Sequence, residues 1–407
     1  MNAGVSIVLA CVAGWVLVSA RLGRWSVTAP IVFTVAGLLL GSGANSPVRL
    51  NLGAEQVRTI VEIALALILF SDASKISARW FDQPPSRIAA RLLGIGLPLT
   101  IAAGLCVGLP LFPSAGWAVL AVIAASLAPT DAALGASVME DERIPRRVRN
   151  IINVESGLND GLATPFVLFF LAIAAAEDAH DSAFHAGVQA IGDLVVAVVV
   201  GVALGWLGGR LLVAADRRSW SVPALEPILP FTLALMAYFG AVAASGNGFV
   251  SAFAAGVTFG TVSTAERRPQ IMTFIEQSGT LLTFFVWFVF GAAFIRPALD
   301  NLTWQVVVYA LLSLTVVRMA PVALSLIRSP LSRDEVLLIG WLGPRGLASI
   351  VFALIAIDEL GPAEGGTLVG TVITVTVAFS VALHGLTAGP VAGWFARRTH
   401  AATTTAT

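Results

Sequence analysis

Long apolar runs alternate with short polar breaks along the chain, with apolar centres near Val12, Val35, Leu65, Pro98, Ala125, Val167, Val200, Leu235, Ala254, Phe285, Ser313, Ser349 and Thr376. A helix needs about 17 to 25 mainly apolar residues to cross a hydrocarbon core of about 30 Å, so the pattern predicts about 13 transmembrane helices. The second run, around Gly37 to Gly41, and the ninth, Asn247 to Thr261, are short or interrupted. Only the shallow polar minimum Ser245-Gly246-Asn247 separates the eighth from the ninth. Two runs are broken in the middle: the fifth by Ser126-Leu-Ala-Pro129-Thr130-Asp131, the twelfth by Gly340-Trp-Leu-Gly343-Pro344-Arg345-Gly346. Proline withholds a backbone donor and clashes with the preceding turn, and glycine relaxes the helix, so both are predicted to unwind near mid-membrane. Unwound backbone at that depth is tolerated only where it lines a cavity or is buried in protein. These two spans run in opposite directions and occupy equivalent places if spans one to six and eight to thirteen are inverted repeats. Paired discontinuous helices point to a transporter's binding site. The expected fold class is an all-α polytopic membrane protein with inverted repeats and two discontinuous helices; no residue-level repeat is visible.

Composition agrees with the pattern. Of 407 residues, 57% are hydrophobic and 12% charged, against about 25% charged in soluble domains. A formal net charge of zero makes no case for nucleic acid or a strongly anionic partner. Cys11 and Cys106 both sit in apolar runs and form no disulfide framework or metal signature. Arg21 and Arg24 follow the first apolar run instead of preceding it, which suits a retained span and not a cleavable signal peptide. With alternating spans and an outside N-terminus, nineteen basic residues, Arg24, Arg79, Arg143 and Arg267 among them, fall in one set of loops. Only Arg49, Arg58 and Arg296 fall in the other, and Arg318 and Arg345 lie inside spans. This asymmetry matches the positive-inside rule and predicts a multi-pass plasma-membrane protein with a cytoplasmic C-terminus. The acidic stretches Glu177 to Asp181 and Asp358 to Glu364 are then outside. Trp25, Trp80, Trp117, Trp220 and Trp304 lie near span ends, as interface anchors or as ordinary packing residues.

The densest polar cluster opens the sixth span: Asn153-Val-Glu155-Ser156-Gly-Leu-Asn159-Asp160-Gly161. At helical pitch Ser156 and Asp160 share one face, and Glu155 and Asn159 the neighbouring one. A charge inside hydrocarbon costs about 3 kcal/mol or more, so each intramembrane acid is a functional candidate. Asp131 could instead cap the second half of its own broken helix. Glu155 and Arg318 read best as a structural ion pair, because either charge alone would be too costly at that depth. Arg345 reads as a fixed positive charge balancing broken helix ends and an acid. Glu62 could snorkel to the outer interface or serve the site. Asp72 and Lys75 look like solvated flank, and His384 like a packed or hydrogen-bonded histidine and not a proton carrier. Asp131 and Asp160, with the Ser156 hydroxyl and the Thr130 carbonyl, offer oxygen ligands suited to a hard cation. A carboxylate at low dielectric has a raised pKa and can hold a proton or a cation, and competition between the two gives exchange. The sole lysine, Lys75, follows Ser74, so no Gly-Lys phosphate loop exists, and His-Glu-x-x-His and Gly-x-Ser-x-Gly are absent too. A cation channel would use similar acids without a titrating carrier. A membrane-embedded enzyme would need a nucleophile and base that the spans lack, so the chain reads as a non-enzyme.

Glu155-Ser-Gly-Leu-Asn159-Asp160-Gly161, Pro129-Thr130-Asp131, Arg318 and Gly343-Pro-Arg345-Gly346-Leu, in that order, resemble the sodium/proton antiporters of the NhaP and eukaryotic NHE branch. Thr28-Ala-Pro30-Ile-Val-Phe-Thr-Val-Ala-Gly37-Leu-Leu-Leu-Gly41 resembles that family's second span. The resemblance covers essentially the whole membrane region, about 1–393, and leaves a short tail, 394–407. It implies Asp160 as the proton and ion carrier, with Asp131, Ser156 and the Thr130 carbonyl completing a shell for Na+. It implies a structural Glu155–Arg318 bridge, Asn159 supporting the shell, and Glu62 as a water-mediated contact. It further implies a homodimer in which a core, about 88–175 and 302–393, moves against an interface domain, about 4–73 and 225–293, joined by a linker helix, about 188–213. Asn159, where the electrogenic branch has a second aspartate, implies electroneutral one-for-one exchange serving pH homeostasis, with no cofactor beyond the transported ions. K+/H+ and Li+/H+ exchange stay open, since oxygen ligands alone do not set selectivity. One departure stands out: the family writes Thr-Asp-Pro, whereas here Pro129 precedes Thr130 and Ala132 follows Asp131.

Overall fold

Apolar runs of this length satisfy their backbone groups internally only as helices, and helix is the regular structure throughout the described residues. The computed structural model describes residues 2–23, 25, 27–41, 54–76, 84–131, 144–179, 182–263, 268–361 and 364–404. Arg24, Arg49, Arg79, Trp80, Arg143, Asp181 and Arg267 lie outside the described residues. In chain order the helices are α1 (Asn2–Gly23), α2 (Ala29–Gly41), α3 (Ala54–Ser74), α4 (Pro84–Arg91), α5 (Leu97–Leu111), α6 (Trp117–Ser126), α7 (Arg146–Asp178), α8 (Ala183–Arg217) and α9 (Ile228–Ala243). They continue as α10 (Gly248–Val262), α11 (Arg268–Val289), α12 (Ile295–Asp300), α13 (Trp304–Leu314), α14 (Val316–Ser325), α15 (Arg333–Trp341), α16 (Leu347–Leu360) and α17 (Glu364–Thr404). Single π-helical turns, Leu92–Gly96 and Phe290–Phe294, join α4 to α5 and α11 to α12. All thirteen predicted span centres fall within helices. Seven helices are long and apolar enough to cross a membrane among the described residues, and α2, α6, α9 and α10 are shorter apolar helices.

The fifth span stops being helical where Pro129 predicts, its continuation at 132–143 lying outside the described residues. The twelfth is discontinuous, as its Pro and Gly positions predict. α6 stops at Ser126, and residues 127–131 are non-helical. α15 stops at Trp341, and α16 resumes at Leu347. The pattern does not predict a third interruption, at Thr315, which divides the eleventh span into α13 and α14. The Thr315 hydroxyl bonds back to the Leu311 carbonyl at 2.6 Å, a bond that bends helices, and the Ser313 carbonyl is taken by Arg345 of another span.

The chain forms two compact units. The first takes in 1–51, 84–159 and 284–407, the second 52–83 and 160–283. Within the first, Ile88, Leu92, Ile151, Val322, Leu338, Ile339 and Phe395 are buried in one apolar cluster. α2 packs so closely on the end of α11 and the π-helical turn after it that a Cβ on Gly37 would overlap the Phe288 carbonyl, and one on Gly291 the Thr34 carbonyl.

The second unit is built on α10, which packs against both α3 and α8. Along α8 the apolar side chains of Val188, Ile191, Val195, Val199, Val202 and Trp206 are exposed, whereas Gly201, Gly205, Gly208 and Leu212 are buried. Both sets recur every three to four residues, so one stripe is left for lipid and the other for protein. A Cβ on Gly205 would overlap the Ala255 carbonyl, and one on Gly256 the Phe70 carbonyl. Neighbouring helices in hydrocarbon gain little from apolar burial, so contact is won by small residues that let backbones approach and pack.

Candidate functional site

The end of α6 meets the break between α15 and α16, and each supplies the charge that the other needs. Unwinding leaves orphan carbonyls where α6 ends and orphan N–H groups where α16 begins. The Arg345 guanidinium, wholly buried, donates through Nη1 to the carbonyls of Ala128 and Pro129, both at 3.2 Å, and through Nη2 to that of Ser313 at 3.1 Å. Asp131 lies at the other end: its Oδ2 accepts from the Leu347 N–H at 3.3 Å, and its own N–H donates to the Pro344 carbonyl at 2.8 Å. A cation at a helix C-terminus and an anion at an N-terminus both oppose the partial charges of those ends. Asp131 therefore acts as a cap of α16; residues 132–143, the second half of its own span, lie outside the described residues. Gly346 makes the approach possible, since a Cβ there would overlap the Asp131 carboxylate. The Ser349 hydroxyl adds a third tie, donating to the Ser126 carbonyl at 2.7 Å.

Beside this crossing, α7 carries the Glu155 to Asn159 cluster. Arg318 donates from Nη1 and Nη2 to the two oxygens of Glu155 at 2.9 and 3.0 Å, with both side chains almost wholly buried. Asn159 Nδ2 donates to Thr130 Oγ1 at 2.7 Å and to Glu155 Oε1 at 3.4 Å. That orientation of the amide is the chemically required one, because a flipped Asn159 would set its carbonyl oxygen against a carboxylate. Thr130 Oγ1 also lies 3.2 Å from Glu155 Oε2 and 3.2 Å from Ser156 Oγ. Donating its one proton to Glu155, it accepts from both Asn159 and Ser156. Glu155 is then committed on both oxygens to Arg318, Thr130 and Asn159. Ser156 keeps its lone pairs. Asn159 Oδ1, fully buried, has no hydrogen-bond partner among the described residues.

Of the residues singled out from the sequence, Thr130, Asp131, Glu155, Ser156, Asn159, Arg318 and Arg345 all belong to the first unit and are gathered at this crossing. Asp160 follows Asn159 on α7, is half-buried, and belongs to the second unit; its carbonyl accepts from the Thr164 hydroxyl at 2.7 Å. Glu62 also belongs to the second unit, where its oxygens accept from Arg58 Nε at 2.7 Å and from the Tyr238 hydroxyl at 2.8 Å. Sequence reasoning missed Ser349, Ser380 and the Ser313 carbonyl. The available signal at Ser380 was its helical spacing, four residues before His384.

A family profile described as sodium/hydrogen exchanger, transmembrane, matches residues 7–394. The chain belongs to this family. Among relatives, the K(+)/H(+) antiporter NhaP of Alkalimonas amylolytica is 27% identical over 394 residues, covering 93% of this chain and 64% of that protein. A Na(+)/H(+) antiporter of Saccharomyces cerevisiae is 26% identical over 334 residues, covering 74% of this chain and 32% of that protein. The chain thus spans less than two thirds of the length of these relatives. Among solved structures, the sodium proton antiporter MjNhaP1 from Methanocaldococcus jannaschii at pH 8 superposes with a TM-score of 0.78 at 20% identity, covering 97% of this chain and 98% of that one. Membership of the family makes the protein a multi-pass membrane protein, and the superposition gives it the all-helical antiporter fold expected from the sequence.

Proposed function

We propose that the protein is a secondary active monovalent cation/proton antiporter in which the cation and the proton compete for Asp160. The observation that carries this reading is the crossing of α6 and α16, where Arg345 and Asp131 balance opposing broken helix ends beside Thr130 and Ser156. A fixed guanidinium holds the net charge of the crossing down, so a bound Na+ or H+ on an aspartate brings the site close to neutral. Asp160, Asp131, Ser156 and the Thr130 carbonyl form the cation shell. Glu155, Arg318, Asn159 and Arg345 are its scaffold, and Glu62 is an accessory group. No cofactor takes part and no enzymatic step is involved; exchange proceeds by alternating access. Asn159 beside a single carrier carboxylate supports one-for-one electroneutral exchange. The protein acts as a plasma-membrane homodimer with its N-terminus outside and its C-terminus in the cytoplasm, its core (88–175 and 302–393) moving against the interface domain (4–73 and 225–293), with 188–213 as linker.

The test is exchange in reconstituted vesicles under an imposed sodium gradient. Proton flux coupled to sodium and abolished in Asp160→Asn is expected, whereas cation flux without proton movement would make the protein a channel. An imposed membrane potential should leave the final sodium gradient unchanged; a strong shift refutes electroneutrality. A second reading, potassium/proton exchange, is favoured by the name of the Alkalimonas relative. Repeating the assay with potassium and lithium decides between them.

A further inference from the structure

At the break between α15 and α16 the Leu342 N–H still reaches the Leu338 carbonyl and the Gly343 N–H the Trp341 carbonyl, whereas the Arg345 N–H has to be satisfied from outside the span. Ser380, His384 and Thr387 on α17 lie at helical spacing along one face, and together they hold both sides of the break. The Arg345 N–H donates to Ser380 Oγ at 2.7 Å. His384 Nε2 lies 3.0 Å from the Trp341 carbonyl, one of the last carbonyls of α15. Its Nδ1 lies 3.2 Å from Ser380 Oγ and 3.1 Å from the Ser380 carbonyl. Trp341 Nε1 donates to Thr387 Oγ1 at 3.2 Å, and the indole packs over the imidazole with ring centroids 5.5 Å apart. Ser380 is fully buried and His384 nearly so, so these groups have no water to fall back on.

A neutral imidazole has one N–H for two facing carbonyls, those of Trp341 and Ser380, and the Ser380 hydroxyl decides between them by offering Nδ1 a donor. Ser380 Oγ accepts from Arg345 and gives its own proton to Nδ1, so Nε2 carries the hydrogen. The result is a directed chain, Arg345 N–H to Ser380 to His384 to the Trp341 carbonyl, which closes across the break. The side chain of that same Arg345 caps α6 beside Thr130.

We propose that His384 is a positioning residue for cation exchange. Through Ser380 it fixes the Arg345 backbone, and through Trp341 it fixes the end of α15, so that the Arg345 guanidinium stays on the Ala128 and Pro129 carbonyls and Thr130 stays in register. The kinetic part of this proposal rests on the antiport reading above; the hydrogen-bond chain does not.

The test compares wild type with His384→Gln, His384→Leu, Ser380→Ala and the His384→Leu/Ser380→Ala pair in the same vesicle assay. A glutamine amide can donate to Trp341 and accept from Ser380, so H384Q should keep the apparent cation KM within about twofold. H384L and S380A should each raise it about five- to tenfold, the worth of one buried hydrogen bond. The double variant should be no worse than the worse single, because both break one chain. An unchanged KM in S380A, or effects that multiply in the double, overturns the proposal, even if H384L fails to fold. Absence of exchange in wild type refutes antiport instead, and 15N NMR of His384 then decides the hydrogen-bond chain alone. A neutral ring with hydrogen on Nε2, and an Nδ1 resonance that moves in S380A, is expected; an unmoved resonance overturns it.

Discussion

The two compact units are held together by different means. Around α6, α14 and α16 the first unit buries an ion pair, a guanidinium held by backbone carbonyls and a chain of hydroxyls and amides, and its helices are interrupted where these groups sit. The second unit keeps α3, α8 and α10 continuous and brings them into contact through glycines whose neighbours are backbone carbonyls. The difference is one of directionality. A hydrogen-bond network accepts only a few geometries, and each lost partner leaves a buried polar group unpaired at high cost. A glycine seam depends on distance alone, and nothing in it is left unsatisfied when the surfaces slip slightly. Chemistry that needs fixed charges belongs in the first kind of structure, and smooth packing in hydrocarbon in the second.

The strongest way to break this contrast is to remove one side of the buried ion pair. Arg318→Ala should destabilise the protein by about 3–5 kcal/mol, because Glu155 is left charged and unpaired. Thermal unfolding in detergent reads the effect, and replacing both residues with leucine and methionine should restore most of the loss. If the single and double variants are equally unstable, the cost is packing and not charge.

A smaller effect is expected from the seam. Gly205→Val forces a side chain into the Ala255 carbonyl and should cost about 1–3 kcal/mol as overpacking. The cation KM of the folded protein should be unchanged. A shifted KM with full stability would show that the seam tunes the site, contrary to the division drawn above.

The mildest test concerns the polar group within the second unit. Tyr238→Phe removes the hydroxyl that donates to Glu62 but leaves Arg58 in place, so a loss of about 1 kcal/mol is expected. A much larger loss in thermal stability would mean that the second unit, too, depends on a polar network.

Much of this was legible in the residues. Thirteen apolar runs and the two proline-glycine breaks are one-dimensional properties, and helices stand where they predict. The break at Thr315 was not, because a threonine that bonds back to its own helix, as Thr164 does, leaves most helices continuous, and the Arg345 contact to the Ser313 carbonyl comes from another span. The polar cluster on α7 was visible as a cost, since Glu155 and Asn159 could not sit in hydrocarbon unpaired. The spacing could not show that Thr130 is the hub joining Glu155, Ser156 and Asn159, because that depends on how α6 ends. Glu62 looked like a group for the ion site or the interface; its oxygens are engaged by Arg58 and Tyr238, the latter 176 residues away.

The sequence by itself determined where the chain can cross a membrane, where it must unwind, and which charges need a partner, because hydrophobic transfer and backbone donors are properties of each residue and its neighbours. Only the tertiary structure decided the partners. Arg345 caps carbonyls 216 and 217 residues before it, Asp131 caps a helix of another span, and His384 closes a break in a helix other than its own. A buried polar group must be satisfied by whatever lies within about 3 Å, and nothing local to the chain specifies what that will be.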